Sequence, residues 1–394
     1  MLTFDPAIEM QKLRDHFASH NKPLVFLFGA GTSMVPGADR RPLIPAVAEL
    51  TERCKKAVTA EGRQYAEAWV KIADVRADRT IEDILSAVRQ MREVALDGDK
   101  LGGLDKPELE TLETVIQKAI SLEVRPAETR IPPELPHASL ARWILRIDRS
   151  SPVEIFTTNY DTLLERALEG QGVPVFDGFV GAHRPFFSPA SLMRDQMAPG
   201  RRWTRLWKLH GSVTWLPPSR DGDRIVRGEE QQSGEMILPS LLKYDESRKQ
   251  PYVAMMDRFR RALAEREDAV LVTAGYSFGD QHINEVIFEA LDANPRLHVF
   301  ALCFDNPPVG GELHREALKR MNILVLGPHQ AIVRGEVGTW SLPDTGVLDA
   351  RLVGIFDPAG ASGTPPGHLK LGDFSVLCAL LAQIAGDDGR SAAA

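Results

Sequence analysis

Val153-Glu154-Ile155-Phe156-Thr157-Thr158-Asn159-Tyr160-Asp161 is the stretch whose reading decides the fold. It opens with apolar and β-branched residues, as a buried strand does. Within two residues it turns to an amide and a carboxylate, Asn159 and Asp161. Leu163-Leu164-Glu165-Arg166-Ala167-Leu168 then reads as a helix. A strand that ends in polar groups just before a helix places them at the carboxyl edge of a sheet. That edge is where open α/β sheets bind ligands.

Three further runs repeat the pattern. Leu24-Val25-Phe26-Leu27-Phe28 is a continuous apolar run, as in a central parallel strand, and leads into Gly29-Ala30-Gly31-Thr32-Ser33. Strand, glycine-rich turn and helix start is an arrangement that cradles phosphate, with N–H groups of the helix end facing the anion. Leu206-Trp207-Lys208-Leu209 runs into His210-Gly211-Ser212, and Ala269-Val270-Leu271-Val272-Thr273-Ala274 into Gly275-Tyr276-Ser277-Phe278-Gly279-Asp280. Residues 173–176, 297–304 and 323–326 read as additional strands. Helical spacing predicts helices over 5–20 (Ile8, Met10, Leu13 and Phe17 on one side), 139–146, 247–266 (Val253, Met256, Phe259 and Leu263), 282–291 and 313–321. Strands alternating with helices predict an α/β fold, a doubly wound Rossmann-like parallel sheet.

Two regions depart from that alternation. Residues 46–135 form an inserted helical subdomain, with helices expected near 46–60, 63–75, 80–94 (capped by Thr80) and 107–122. Residues 331–394 form a small C-terminal extension of short strands and an apolar helix over 371–385, which either completes the fold or offers an oligomer or partner surface. The catalytic domain is accordingly placed at 1–330. Residues 217–233 and 360–366 read as loops.

The chain has 394 residues, 43% hydrophobic and 26% charged, an ordinary globular balance. A net charge of −7 argues against direct nucleic-acid binding, and Arg201, Arg202 and Arg205 are read as a solvated or salt-bridged face. Cys54, Cys303 and Cys378 lie far apart without a CxxC pair, so neither a zinc knuckle nor a disulfide framework is expected. Cys303 is expected as a buried small hydrophobe within a strand. Charges run throughout residues 1–22, which does not suit a signal peptide, and no apolar run suits a membrane span. A cytoplasmic location is expected.

Each polar cluster has a plain structural reading. Asn159 and Asp280 can cap the helices that follow them, and a lone His210 is more often a satisfied structural histidine. The glycine turn lacks the third glycine of a GxGxxG, since Met34 stands there. In one sheet, however, all four clusters meet on the same edge.

As a set the clusters resemble the sirtuin superfamily, and more narrowly its bacterial zinc-free NAD-consuming branch. Residues 29–33 match GAG-x-S, residues 157–161 match T-x-N-x-D, residues 208–212 match the HG motif, and residues 275–280 with His282-Ile283-Asn284 complete the set. The resemblance implies a sheet that binds NAD as substrate and cleaves its nicotinamide–ribose bond. Asn159 would hold the ribose hydroxyls and a water; His210, neutral near its ordinary pKa of about 6.5, would take a proton. Gly29, Ala30, Gly31, Thr32 and Ser33 would hold the pyrophosphate, with Thr158, Gly275, Ser277 and Asp280 also on the nucleotide. Asp161 would either face the site or cap the next helix. The family's arginine after the glycine loop has no firm match; Arg40 and Arg41 are the nearest. The missing cysteine pairs disfavour deacylation, and plain NAD hydrolysis fits better. A protein deacylase, an ADP-ribosyltransferase and a non-catalytic NAD or ADP-ribose sensor are the alternatives. By resemblance such proteins are NAD-depleting anti-phage effectors, expected as homo-oligomers and in some cases as partners of a HerA-type hexameric ATPase or an Argonaute-like protein.

Overall fold

A computed structural model describes residues 2–73, 79–216, 224–228, 250–342, 349–358 and 367–386. Its strands are β1 (Thr3–Phe4), β2 (Leu24–Phe28), β3 (Glu154–Thr157), β4 (Val175–Phe176), β5 (Phe179–Val180), β6 (Phe186–Phe187), β7 (Thr204–Lys208), β8 (Trp215–Leu216), β9 (Val226–Arg227), β10 (Val270–Ala274), β11 (His298–Leu302), β12 (Ile323–Leu326), β13 (Gln330–Val333), β14 (Glu336–Trp340), β15 (Phe356–Asp357) and β16 (His368–Leu369). The helices are α1 (Pro6–Ala18), α2 (Val47–Glu61), α3 (Arg63–Ala73), α4 (Ile81–Val94), α5 (Lys106–Glu123), α6 (Pro136–Arg146), α7 (Leu163–Gly170), α8 (Pro189–Met193), α9 (Tyr252–Ala264), α10 (Gln281–Ala293), α11 (Glu312–Leu318) and α12 (Phe374–Ile384).

Ten strands form one sheet in the order β1-β14-β13-β12-β11-β10-β2-β3-β7-β4. From β12 to β4 every neighbouring pair is parallel. The expected doubly wound parallel sheet is therefore present, with small antiparallel sheets beside it: β5-β6-β9-β8 and β15-β16.

The central strands are apolar because both faces are covered. Every residue of β2 is buried. Phe26 and Phe28 face one core with α1, α6, α7 and α12, while Val25 and Leu27 face a second core with α9, α10 and α11. Period-2 alternation thus sends neighbouring residues of one strand to opposite layers. Each large side chain so buried contributes roughly 1.5–3 kcal/mol. The connection from β2 to β3 carries the helical block, α2 to α5, whose apolar faces join the first core. α4 starts at Thr80, which shares a capping box with Asp83, and α5 starts at Asp105, which shares one with Glu108.

Residues beyond 330 continue the main sheet. β13 pairs antiparallel with β12, β14 antiparallel with β13, and β1 at the start of the chain parallel with β14. Trp340 is buried there, and its Nε1 donates to the Gly327 carbonyl at 2.9 Å. α12 packs on α6, with Phe374 against Phe28 at 5.3 Å between ring centroids.

Several sequence expectations shift at their edges. The helix expected from 139 begins at Pro136, because proline is tolerated in the first helical turn. Ile8 and Val253, assigned to buried faces, are 56% and 36% exposed. Of the 247–266 helix, residues 252–264 are helical and 247–249 lie outside the described residues. Residues 180–203 hold β6, α8 and a short 3-10 turn. Of the loop expected over 217–233, the described part contains β9, and 360–366 lies outside the described residues. Residues 350–352 form a 3-10 turn, and Phe356 joins the two-stranded ladder with Leu369. Cys303 lies just past β11 and is half-buried. Burial and the nearby Asp305 push its thiol up to about 12. Among the described residues, no helix is long and apolar enough to cross a membrane.

From β2 the chain runs outward to β3, on to the edge strand β4 and back to β7 between them, then crosses to the other side of β2 at β10 and runs outward again. Strand order reverses between β2 and β10, so the crevice of a doubly wound sheet opens at their carboxyl ends. The two turns there touch backbone to backbone. A Cβ on Gly29 would lie 2.5 Å from the Gly275 carbonyl oxygen, and one on Gly31 2.7 Å from the Gly275 Cα. Gly275 itself has φ +61, and a Cβ there would run into the Thr32 backbone nitrogen. Gly275→Ala should therefore lower stability by about 2 kcal/mol or more, through both the left-handed backbone and the clash. Urea unfolding of the two proteins measures it; equal midpoints would contradict the close approach.

Candidate functional site

The residues at this edge come from four strand ends. Thr32 and Ser33 follow β2, Asn159 to Asp161 follow β3, His210 follows β7, and residues 275–280 follow β10. All four clusters singled out in the sequence are brought together.

Asn159 is 8% exposed and donates through Nδ2 to Thr32 Oγ1 at 3.0 Å and to Ser33 Oγ at 2.8 Å. Its role here is not helix capping. Ser33 Oγ in turn donates to Asp161 Oδ2 at 2.6 Å. The other carboxylate oxygen of Asp161 accepts the Leu163 N–H at 3.0 Å, at the start of α7. Asp161 thus does both things the sequence left open: it braces the site and receives an orphan donor of the helix. The buried Lys208 at the end of β7 donates to the Asp161 carbonyl and pairs with Glu165 at 3.1 Å, holding the same turn.

The glycine turn differs from its expected form. Residues 30–32 form a single 3-10 turn, and the next α-helix begins only at Val47. The Gly29 and Gly31 N–H groups donate to Ala274 and Gly275, and those of Thr32 and Ser33 donate to Gly29 and Ala30. These four donors bond protein carbonyls in this conformation, and no α-helix follows the turn directly. The glycines let the β2 and β10 turns meet.

Around that contact the edge is open to a ligand. Ser277 and Gly279 are exposed, Ala30, Gly31, Thr158 and Gly275 are half-exposed, and the Thr158 N–H bonds the Phe28 carbonyl at 3.1 Å. Arg40 and Arg41 both lie exposed on the loop that follows. A small-residue rim thus lies beside a buried amide and imidazole at the switch point. Phe278 in this loop has φ +55, unusual for an aromatic residue. Asn284 Nδ2 holds its carbonyl at 2.9 Å, and Tyr276 Oη donates to Asn284 Oδ1 at 2.8 Å.

His210 is 3% exposed and lies between two carboxylates. Its Nδ1 is 3.3 Å from Glu82 Oε1 and its Nε2 is 3.0 Å from Asp280 Oδ2. The other oxygen of Asp280 accepts the His282 and Ile283 N–H groups, so Asp280 also caps α10. Glu82 accepts the Tyr160 hydroxyl at 3.0 Å. Burial alone would push the imidazole down. Glu82 and Asp280 outweigh it and lift His210 to about 10. The two carboxylates thus favour the protonated ring, where the ordinary imidazole pKa would favour the neutral one.

Glu82, Tyr276 and Asn284 were not singled out as functional in the sequence. Glu82 sits in the first turn of α4, where an acidic side chain favours the helix dipole. That local signal gives no hint of a partner 128 residues away.

Residues 153–326 match the family model described as SIR2-like domain. The match starts at β3, so it includes Asn159, His210 and Asp280 and leaves out the glycine turn after β2. Among solved structures, one described as a Sir2 homolog–NAD complex is similar at 15% identity, covering 75% of this chain and 83% of that one, with a TM-score of 0.37. No curated protein matches. The matched residues run from β3 to β12 of the doubly wound sheet.

Removing His210 tests the charge state directly. Its folded pKa lies above its unfolded value of about 6.5, so its contribution to stability is complete below about 6.5 and is lost as pH rises toward about 10. The stability deficit of His210→Asn should therefore be largest near pH 6 and shrink by pH 10. Urea titrations at several pH values check this; a deficit independent of pH would contradict a charged His210.

Proposed function

We propose that the protein hydrolyses NAD at the nicotinamide–ribose bond, giving nicotinamide and ADP-ribose. The observation that carries this reading is the convergence of Asn159 and His210 at the switch-point crevice of a SIR2-like domain. In the proposed reaction the bond from nicotinamide nitrogen to the ribose anomeric carbon breaks, and its electron pair leaves with neutral nicotinamide. A water oxygen bonds the anomeric carbon and its proton passes to a base. Asn159, released from Thr32 and Ser33, holds the ribose hydroxyls and the water. His210 receives the proton once it has become neutral. General-base assistance of this kind is worth roughly 10²–10⁴-fold.

The motif resemblance extends the proposal to an NAD-depleting defence effector that works as a homo-oligomer beside a HerA-type ATPase. A second reading, a nucleotide sensor without turnover, draws support from His210 being loaded with a proton between Glu82 and Asp280.

Nicotinamide release from NAD, with and without a candidate ATPase partner, separates the two. Hydrolysis predicts that Asn159→Ala and His210→Ala each lower the rate by about 10²-fold or more. NAD binding without release, unaltered by His210→Ala, would replace this reading with the sensor.

A further inference from the structure

The helical block reaches the sheet edge at one acidic side chain. Glu82 lies on the first turn of α4, its side chain 33% exposed and that of His210 3% exposed. It takes two donors at once, the Tyr160 hydroxyl and His210 Nδ1. The charged and titratable groups around the imidazole are Glu82 from α4, Asp280 from the N-cap of α10, and Tyr160 after β3, whose ring lies 6.4 Å away. Tyr160 is pushed well up by its burial and by Glu82, so it stays a neutral donor.

The two carboxylates are not equivalent. Asp280 is fixed to the sheet because it caps α10 through His282 and Ile283. Glu82 belongs to the insertion between β2 and β3 and is tied to α4 rather than to the sheet.

We infer that Glu82 is a positioning residue that sets the orientation and the charge of His210. The inserted helical block thereby controls when the proposed base is free to accept a proton. With Glu82 in place both ring nitrogens face carboxylates and the ring keeps its proton. With Glu82 withdrawn only Asp280 holds that proton, and a neutral imidazole becomes accessible nearer to neutral pH. This inference rests on His210 being the base in the proposed reaction, but its electrostatic half stands without turnover.

The experiment is an NMR titration of histidine-labelled full-length chain between pH 6 and 10.5, with the His210 signal assigned by its loss in His210→Asn. Wild-type His210 should hold its proton to about pH 9 or above. Glu82→Gln keeps the shape and removes the charge, and its midpoint should fall by about one pH unit or more. Glu82→Asp keeps the charge and should recover at least half of that shift. Equal midpoints in wild type and Glu82→Gln, or Asp behaving as Gln, would overturn the inference. The rising limb of nicotinamide release against pH should move with the NMR midpoint, raising the rate of Glu82→Gln at pH 7 relative to wild type. If the midpoint moves and no protein releases nicotinamide at any pH, with or without the candidate ATPase partner, the charge-setting role of Glu82 stands and the hydrolase reading falls. A merely structural Glu82 would lower the melting temperature and leave both midpoints in place.

Discussion

The contact between the β2 and β10 turns is the constraint on which the site depends. Parallel strands on either side of a switch point send their connections in opposite directions, and this leaves a crevice at their carboxyl ends. Here the crevice floor is backbone against backbone, because Gly29, Gly31 and Gly275 leave no room for side chains. That closeness places Thr32 and Ser33 where the Asn159 amide reaches both. It also aligns residues 275–280 so that Asp280 meets His210 from the neighbouring direction. Any side chain on those glycines would separate the turns and move the polar groups apart together.

Charge is handled differently at the two ends of β3. At its start Glu154 is fully buried and surrounded by cations: Arg258 at 2.6 Å, Arg266 at 3.0 Å and Arg205 at 3.9 Å, with Trp207 Nε1 donating at 2.9 Å. One anion among several rigid donors is a stable arrangement, since each lone pair of the carboxylate has a partner. Beyond its end the pattern is reversed, with one small cation between two anions. Removing the proton from His210 would leave Glu82 and Asp280 facing each other across a neutral ring. The first cluster has no obvious second state, whereas the second has one that differs by a single proton.

Much of this was legible in the residues. The apolar run 24–28 became β2 without change, because strands buried on both faces carry no polar alternation to blur their ends. The Thr80 cap was legible because capping is a local interaction, and its box partner Asp83 lies three residues on. The site's cast was readable as four strand ends. Its interior pairing was not. Asn159 reads as a cap when only its neighbours in sequence are considered, yet its partners lie 126 and 127 residues away. Residues 29–33 read as leading into a helix because strand–glycine–helix is the commoner continuation, while here the chain breaks into a 3-10 turn and a loop. The pKa of His210 depends on a carboxylate from a different layer of the molecule, which no spacing within the 208–212 motif encodes.

The two central side chains are therefore not equally available to a ligand. Asn159 is held by neutral hydroxyls, and exchanging such a hydrogen bond for one to a sugar hydroxyl is close to even, since each contributes only about 0.5–1.5 kcal/mol net. In the proposed reaction a ribose hydroxyl would replace Thr32 and Ser33 with little loss. His210 is held by ionised partners, where each bond is worth about 1.5–3 kcal/mol and is strengthened by burial. No neutral hydroxyl matches that, so the imidazole is harder to release than the amide. The imidazole is accordingly the more tightly held of the two, and one of the carboxylates that hold it belongs to α4 and the helical block rather than to the sheet.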